Sequence, residues 1–267
     1  MRRASIRILV VVYVLVIAMV PFLVAVVPIM LMRPGLVRWA AVCVVPVTYG
    51  IAYVLVAGGL SCLTRDAIVS GKYPRDLGHP VYGRRRLYAL CWTSVYYFSP
   101  LYHVVLAVPA LKWLTFRLFG YQGALDFTAY ADTWIRDLPL LQLGSGAYLA
   151  NKATIGTNMC LNDGTIVVMP VRLDTGAMVG HLALLGPGCY VGPRAEVGVG
   201  ASVGMNCRIE ANAAVGPLSV INHGAIIGEG CHVGNSCLVG TGARLAAGAR
   251  LRAGAIVEPG QHVSSHG

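Results

Sequence analysis

From Leu143 to His262 the chain is one six-residue phrase written twenty times: LGSGAY, LANKAT, IGTNMC, LNDGTI, VVMPVR, LDTGAM, VGHLAL and onward to VEPGQH. The first place of every hexad is Leu, Ile or Val. The second is Gly in eleven of the twenty, and the fifth is Ala, Cys, Ser, Thr or Val except at Met159 and Gln261. Such a short fixed period excludes an ordinary globular core, because each repeat buries its apolar side chain only by stacking on neighbours. A hexad supplies one short strand and a corner, and three hexads close a triangular coil. The next coil lies one strand spacing above, ~4.8 Å, so residues eighteen apart stack. The first-place aliphatic fills the prism, the fifth-place residue fits its crowded interior, and the second-place Gly eases tight backbone geometry near the corner. About seven coils are expected over residues 143–262.

The pattern resembles the left-handed parallel β-helix of the hexapeptide-repeat acyltransferases, a rare exception to right-handed crossovers. It covers about half of the chain. The resemblance implies acetyl-CoA or another acyl thioester as donor, no metal, and a small-molecule or lipid-linked acceptor. It also implies a protruding histidine as base and a homotrimer with sites between neighbouring prisms. In that family basic residues near the last coils meet the donor's phosphates, and Arg244, Arg250 and Arg252 cluster there. The Gly-x-Pro-Ala type of ending common in the family is absent.

A chain that is 56% apolar and 12% charged is too greasy for an ordinary soluble protein, which points to a membrane part. The net charge of +10 sits mostly there: residues 1–138 carry 14 Lys and Arg against 5 acids, residues 139–267 carry 7 against 6. Basicity confined to the apolar half is what membrane-flanking loops produce, and it argues against nucleic acid as a partner. The eight cysteines show no C-x-x-C spacing. Cys189, Cys207, Cys231 and Cys237 all take the fifth place of a hexad, so they are expected as buried thiols in a reducing cytoplasm.

Three uncharged runs of 25 residues, 8–32, 39–63 and 87–111, precede the repeats. Each could cross a hydrocarbon core of ~30 Å as a helix. Arg2, Arg3 and Arg7 before the first run could mark a signal peptide, but that run is too long, contains Pro21 and Pro28, and leads directly into the second. Arg65, Lys72, Arg75, Arg84, Arg85 and Arg86 follow the second run, against Arg33 and Arg38 between the first two. A hairpin with both ends in the cytoplasm satisfies the positive-inside rule. The third run holds Ser94, Tyr96, Tyr97, Ser99, Pro100, Tyr102, His103 and Pro109 and reads as a re-entrant or interfacial segment that leaves the β-helix on the cytoplasmic side. His103 is an ionisable group at membrane depth, expected at the headgroup level. LKWLTFRLF (111–119) reads as an interfacial helix. The expected organisation is therefore a membrane domain over 1–120, an irregular lead-in over 121–142, and a β-helix over 143–262.

Acyl transfer needs a base for the incoming hydroxyl or amine and donors for the oxyanion. At a spacing of eighteen, His181 stacks on Asp163, with Ser145 below, whereas His223 has Met205 and Thr241 as neighbours and His232 has Ala214 and Arg250. A carboxylate under an imidazole fixes its tautomer. His181 is therefore the expected base, Asp163 its orienting acid and Asn158 a donor, with His223 as the alternative base. The least regular hexads, IGTNMC, LNDGTI and VVMPVR, lie nearby, and broken rules inside a consistent repeat mark function.

The stretch TNMCLNDGTIVVMPVRLD is also similar to the C-terminal repeats of membrane-bound poly-amino-acid synthetases such as the ε-poly-lysine enzyme. Asn158 stands where those repeats carry a histidine, so that residue's role does not transfer. The similarity implies a second chemistry, aminoacyl transfer from a carrier-protein thioester. A noncatalytic membrane scaffold is a third reading. A γ-class carbonic anhydrase is disfavoured, since the coils contain no His-x4-His pair.

Overall fold

The computed structural model describes residues 3–265, in two compact units. The first runs to Ile68 and resumes over Pro74–Gly120, and the second takes Val69–Tyr73 and the chain from Tyr121 onward. Arg2, counted above in the basic N-terminus, lies outside the described residues.

In the first unit α1 (Arg3–Met30) and α2 (Leu36–Cys62) pack on one another across a turn at 31–35. Both helices are long and apolar enough to cross a membrane. Ile8, Leu15, Phe22 and Val47 on them are exposed, a surface that suits hydrocarbon rather than water.

Proline starts each of the three helices that cover the third run. Pro80, Pro100 and Pro109 each sit in the first turn of a helix, where the missing N–H costs nothing. The chain therefore restarts as α3 (Pro80–Tyr97), α4 (Ser99–Ala107) and α5 (Pro109–Leu118). Between α4 and α5 the chain bends by 112°, so residues 87–111 do not form one straight span. Trp92 is fully buried against the ring edges of Tyr102, Phe116 and Phe119 at 5.9, 5.8 and 5.2 Å. The helix expected at 111–119 begins two residues earlier, at Pro109. Gly120 follows it at φ 84°, the left-handed geometry that closes helix ends. His103 is exposed and tied to its own helix, its Nδ1 2.7 Å from the Ser99 carbonyl oxygen.

The second unit is a left-handed parallel β-helix of seven coils. Its strands form three seven-stranded parallel sheets. The first sheet runs from Thr128–Ala129 to Arg250–Leu251, the second from Trp134–Ile135 to Ile256–Val257, and the third from Leu141–Leu143 to His262–Val263. Away from the end coils the inward residue of the strands is aliphatic and buried, as at Val179, Leu185, Val191 and Val197. Small fifth-place residues, including Cys189, Cys207, Cys231 and Cys237, are buried beside them, and all four thiols are free.

Two details depart from the expectation. Positive φ falls at the fourth place of the hexad, where Gly176, Leu182, Arg194 and Asn206 turn their corners at φ 66, 59, 55 and 56°. The second-place glycines answer a different need, the close approach of the coil above. A Cβ at Gly180 would lie 2.8 Å from the Val199 nitrogen, and one at Gly240 would lie 2.4 Å from the Pro259 nitrogen.

The larger departure is at the start of the solenoid. Residues 121–142 are not an irregular lead-in, since Thr128–Ala129, Trp134–Ile135 and Leu141–Leu143 pair in register with the next strands and make the first coil. In the second coil, Tyr148 pairs with Met178 and Thr154 with Leu184, thirty residues apart instead of eighteen. The twelve extra residues stand out as an antiparallel hairpin of Asn158–Cys160 and Thr165–Val168. From Met178, paired with Glu196, the spacing is eighteen. Twelve is two hexads, so the excursion leaves the six-residue frame intact on either side and is invisible to it.

Candidate functional site

The hairpin changes which residues meet. The amide of Leu182 donates to the Asn151 carbonyl at 3.1 Å, and Gly200 donates to the His181 carbonyl at 2.8 Å, so His181 stacks between Asn151 and Val199. Asp163 is not one coil below His181, and Ser145 lies beneath Thr175 at another corner, where Gly176 donates to its carbonyl at 2.9 Å. The expected His181–Asp163 pair is therefore absent. Eighteen-residue arithmetic assumed an unbroken coil, and the hairpin shifted it by twelve.

Asp163 instead sits in the turn of the hairpin. Its carboxylate accepts from Lys72 Nζ at 2.8 Å, from the Thr165 amide at 2.9 Å and from the Thr165 hydroxyl at 2.5 Å. The Lys72 ammonium, followed by the Thr165 donors, holds this carboxyl well below the usual range. Lys72 lies on the strand Gly71–Pro74, which extends the hairpin to three strands through Thr165–Val168. A residue from the loop between α2 and α3 thus belongs to the solenoid unit, a pairing that no local sequence signal announces.

Asn158 opens the hairpin with its side chain committed inward. Its amide donates to Asp137 Oδ2 at 3.1 Å, and the Thr157 hydroxyl donates to the same oxygen at 2.5 Å. Asp137 and Thr157 are fully buried. Asp137 adopts φ 52°, a left-handed conformation that Asp tolerates better than most residues. The amide of Met169 donates to the Thr157 carbonyl at 3.0 Å and closes the hairpin's base. Asp137 was missed in the sequence. Its only local signal is an acid directly before Leu-Pro at a point where the first coil must turn.

The two candidate bases occupy different corners. His181 is exposed at the corner between the first and second sheets in coil three, and among the described residues neither ring nitrogen has a hydrogen-bond partner. His223 is exposed at the corner between the second and third sheets in coil five, the corner that carries the hairpin three coils below. Its Nδ1 accepts the Met205 amide at 2.9 Å, so the neutral ring carries its proton on Nε2. In that tautomer the outward nitrogen donates and cannot take a proton from an acceptor. His223 is configured as a donor, and His181 keeps a nitrogen lone pair free.

The three arginines do not share one face. Arg244 lies on the third sheet between Ile226 and His262, whereas Arg250 lies on the first sheet over His232, with Arg252 two residues on. None of the three has an ion-pair partner among the described residues. On the third sheet Tyr190 is held between two guanidinium groups, Arg172 at 5.6 Å and Arg208 at 4.8 Å from its ring centre. Asp174 and Glu210 balance those two charges at 2.9 Å each.

Three parallel sheets of seven strands, with hexads in every coil after the first, make this unit a left-handed β-helix built on hexapeptide repeats. The family model for the bacterial transferase hexapeptide (six repeats) matches residues 206–241, in coils four to six. A search of curated proteins finds no match. Among solved structures the chain is similar to the acetyltransferase domain of PglB from Neisseria gonorrhoeae, at 18% identity and a TM-score of 0.33, over 48% of this chain and 53% of that one. It is also similar to a mutant perosamine N-acetyltransferase from Caulobacter crescentus solved with CoA and GDP-perosamine, at 19% identity, TM-score 0.35, and coverage of 58% and 59%. LpxA from Acinetobacter baumannii is similar at 11% identity, TM-score 0.32, and coverage of 53% and 66%. The chain thus spans between half and two thirds of the length of these structures.

Proposed function

We propose that this chain is a membrane-anchored acyltransferase that moves an acyl group, acetyl in the simplest case, from a thioester to a hydroxyl or amine of a glycan, lipid-linked or peptide intermediate. The observation that carries the reading is an exposed His181 with a free ring nitrogen on a β-helix that matches the transferase hexapeptide model. His181 takes the proton of the acceptor as its oxygen or nitrogen attacks the thioester carbonyl, and the thiolate leaves and recovers a proton. Asp163 has no part in orienting the base. Asn158, at the hairpin's corner with its amide on Asp137, stands apart from His181, so backbone N–H groups beside His181 are the proposed oxyanion donors. The exposed guanidinium groups of Arg244, Arg250 and Arg252 fit a phosphate-bearing donor such as acetyl-CoA.

Self-association as a homotrimer is part of the proposal. The outward side chains of the second sheet, among them Leu184, Val220, Leu238 and Ile256, are uncharged from first coil to last. Ile256 is 66% exposed and Leu218 at the adjoining corner 65%. An apolar strip of this extent suits a second copy better than water. His181 borders it, so a neighbouring copy would complete the site.

The solenoid is proposed to face the cytoplasm. Val69–Tyr73 and the chain from Tyr121 both belong to the solenoid unit. Residues 74–120 therefore leave and return on one side, which agrees with a re-entrant segment. The six cations between Arg65 and Arg86 then put that side inside. Cys160, exposed on the hairpin, is a native reporter. With Cys43 and Cys62 replaced by Ser, an impermeant maleimide should label it only after cells are permeabilised, and labelling of intact cells would overturn the topology.

The activity is tested by incubating purified full-length protein with acetyl-CoA and membrane extract, followed by mass spectrometry of the products. Acetylated product lost in His181→Ala is expected. Turnover with a carrier-protein thioester but not with acyl-CoA would favour aminoacyl transfer. No turnover with any thioester, in protein that still binds partners, would favour a scaffold.

A further inference from the structure

A groove of about 530 Å³ lies in the first unit between the end of α1 and the start of α2. Val26 and Ile29 of α1 and Val42 and Val45 of α2 line it with hydrocarbon, and Arg38 and Trp39 line it next to the turn. From Arg38 to Val45 the helix rises ~10 Å, so the groove is long and narrow, suited to a flexible chain and too small for another helix. Arg38 is half-buried and has no ion-pair partner among the described residues, while Trp39 is 71% exposed. A lone cation beside an indole at the end of an apolar groove matches a molecule with an anionic head and a hydrocarbon tail. Trp is also the side chain that settles at the headgroup level.

We infer that this groove is a binding site for an anionic phospholipid, with the phosphate on the Arg38 guanidinium and one acyl chain along Val26, Ile29, Val42 and Val45. The inference rests on the membrane-anchored part of the reading above and is independent of acyl transfer. Guanidinium favours phosphate because its planar N–H groups pair with two phosphate oxygens at once. The site lies at the turn end of the helical hairpin, away from the basic loop that follows Cys62. It would therefore select lipid in the leaflet opposite that loop.

The test uses full-length protein in nanodiscs of phosphatidylcholine doped with phosphatidylglycerol, with retained lipid read by native mass spectrometry after release. Wild type should retain phosphatidylglycerol in preference to phosphatidylcholine. Arg38→Gln should lower that preference about fivefold, the value of one cation near a lipid surface. Arg33→Gln, a nearby cation that does not line the groove, should change it little. Val45→Phe, which fills the groove, should lower retention of both lipids. Equal retention of the two lipids by wild type, or equal losses in Arg38→Gln and Arg33→Gln, would overturn the site. Displacement by inorganic phosphate alone would overturn the lipid assignment. Extraction of the protein from membranes by alkaline carbonate is a separate outcome that sinks the membrane reading itself.

Discussion

Removing the carboxylate of Asp137 should release the hairpin and leave the solenoid standing. In Asp137→Ala the Thr157 hydroxyl, fully buried, loses its acceptor, which costs ~1–3 kcal/mol. The half-buried Asn158 amide loses a second bond worth ~1 kcal/mol, part of which water restores. Alanine at φ 52° adds a backbone cost of ~1 kcal/mol that Asp largely avoids. The sum, ~3–4 kcal/mol, corresponds to a shift of a few hundredfold in the hairpin's opening equilibrium. Asp137→Asn keeps the left-handed backbone and one acceptor oxygen and should shift it by only about tenfold. Hydrogen exchange of the full-length protein measures this directly. Amides of Thr165–Val168 should lose protection by those factors, while those of Val203, Ile221 and Val239 in later coils stay unchanged. Unchanged protection of the hairpin in Asp137→Ala would show that Asp137 does not anchor it. Loss of protection throughout the solenoid would show that it supports the coils instead.

His181→Ala should lower turnover ~10²- to 10⁴-fold with donor affinity retained. His223→Ala should cost less, because its outward nitrogen is a donor, and the opposite ranking in steady-state assays would move the base to the hairpin's corner. The Lys72–Asp163 contact should hold as pH falls through the ordinary carboxylate range, since a carboxyl with a depressed folded-state pKa keeps its contribution above the unfolded value, ~3.9, and loses it only as pH drops through the lower folded one. Both groups are half-exposed, so salt should weaken the contact. Hairpin protection factors, taken relative to intrinsic exchange, that fall on going from pH 7 to 5 at constant salt would contradict this. Gly240→Ala should lower the melting temperature, because its Cβ would meet the Pro259 nitrogen at 2.4 Å, whereas Gly254→Ala, with open space around it, pays only the left-handed backbone strain. Equal shifts for the two would remove coil contact as the reason for second-place glycine.

The sequence by itself determined the solenoid, its apolar prism, the buried place of Cys189, Cys207, Cys231 and Cys237, and the two helices apolar enough to span a membrane. Each of these is a burial pattern that repeats at a fixed interval, and periodicity records which way a side chain faces. It does not record which repeats touch. The twelve residues from the hairpin's start to the coil's resumption equal two hexads, so Leu161 and Val167 keep the frame while standing outside the prism, and a count of eighteen set His181 over the wrong neighbour. The first coil escaped notice for the converse reason: Thr128 and Trp134 stand six apart, but two further residues intervene before Gln142 and slip the six-residue frame, yet the strands pair in register with the coil above. Only the folded chain placed Lys72 against Asp163, 91 residues away, and Asp137 beneath Thr157 and Asn158. These are single polar contacts between distant segments. They are chosen by the geometry of the assembled coils, which no local pattern encodes.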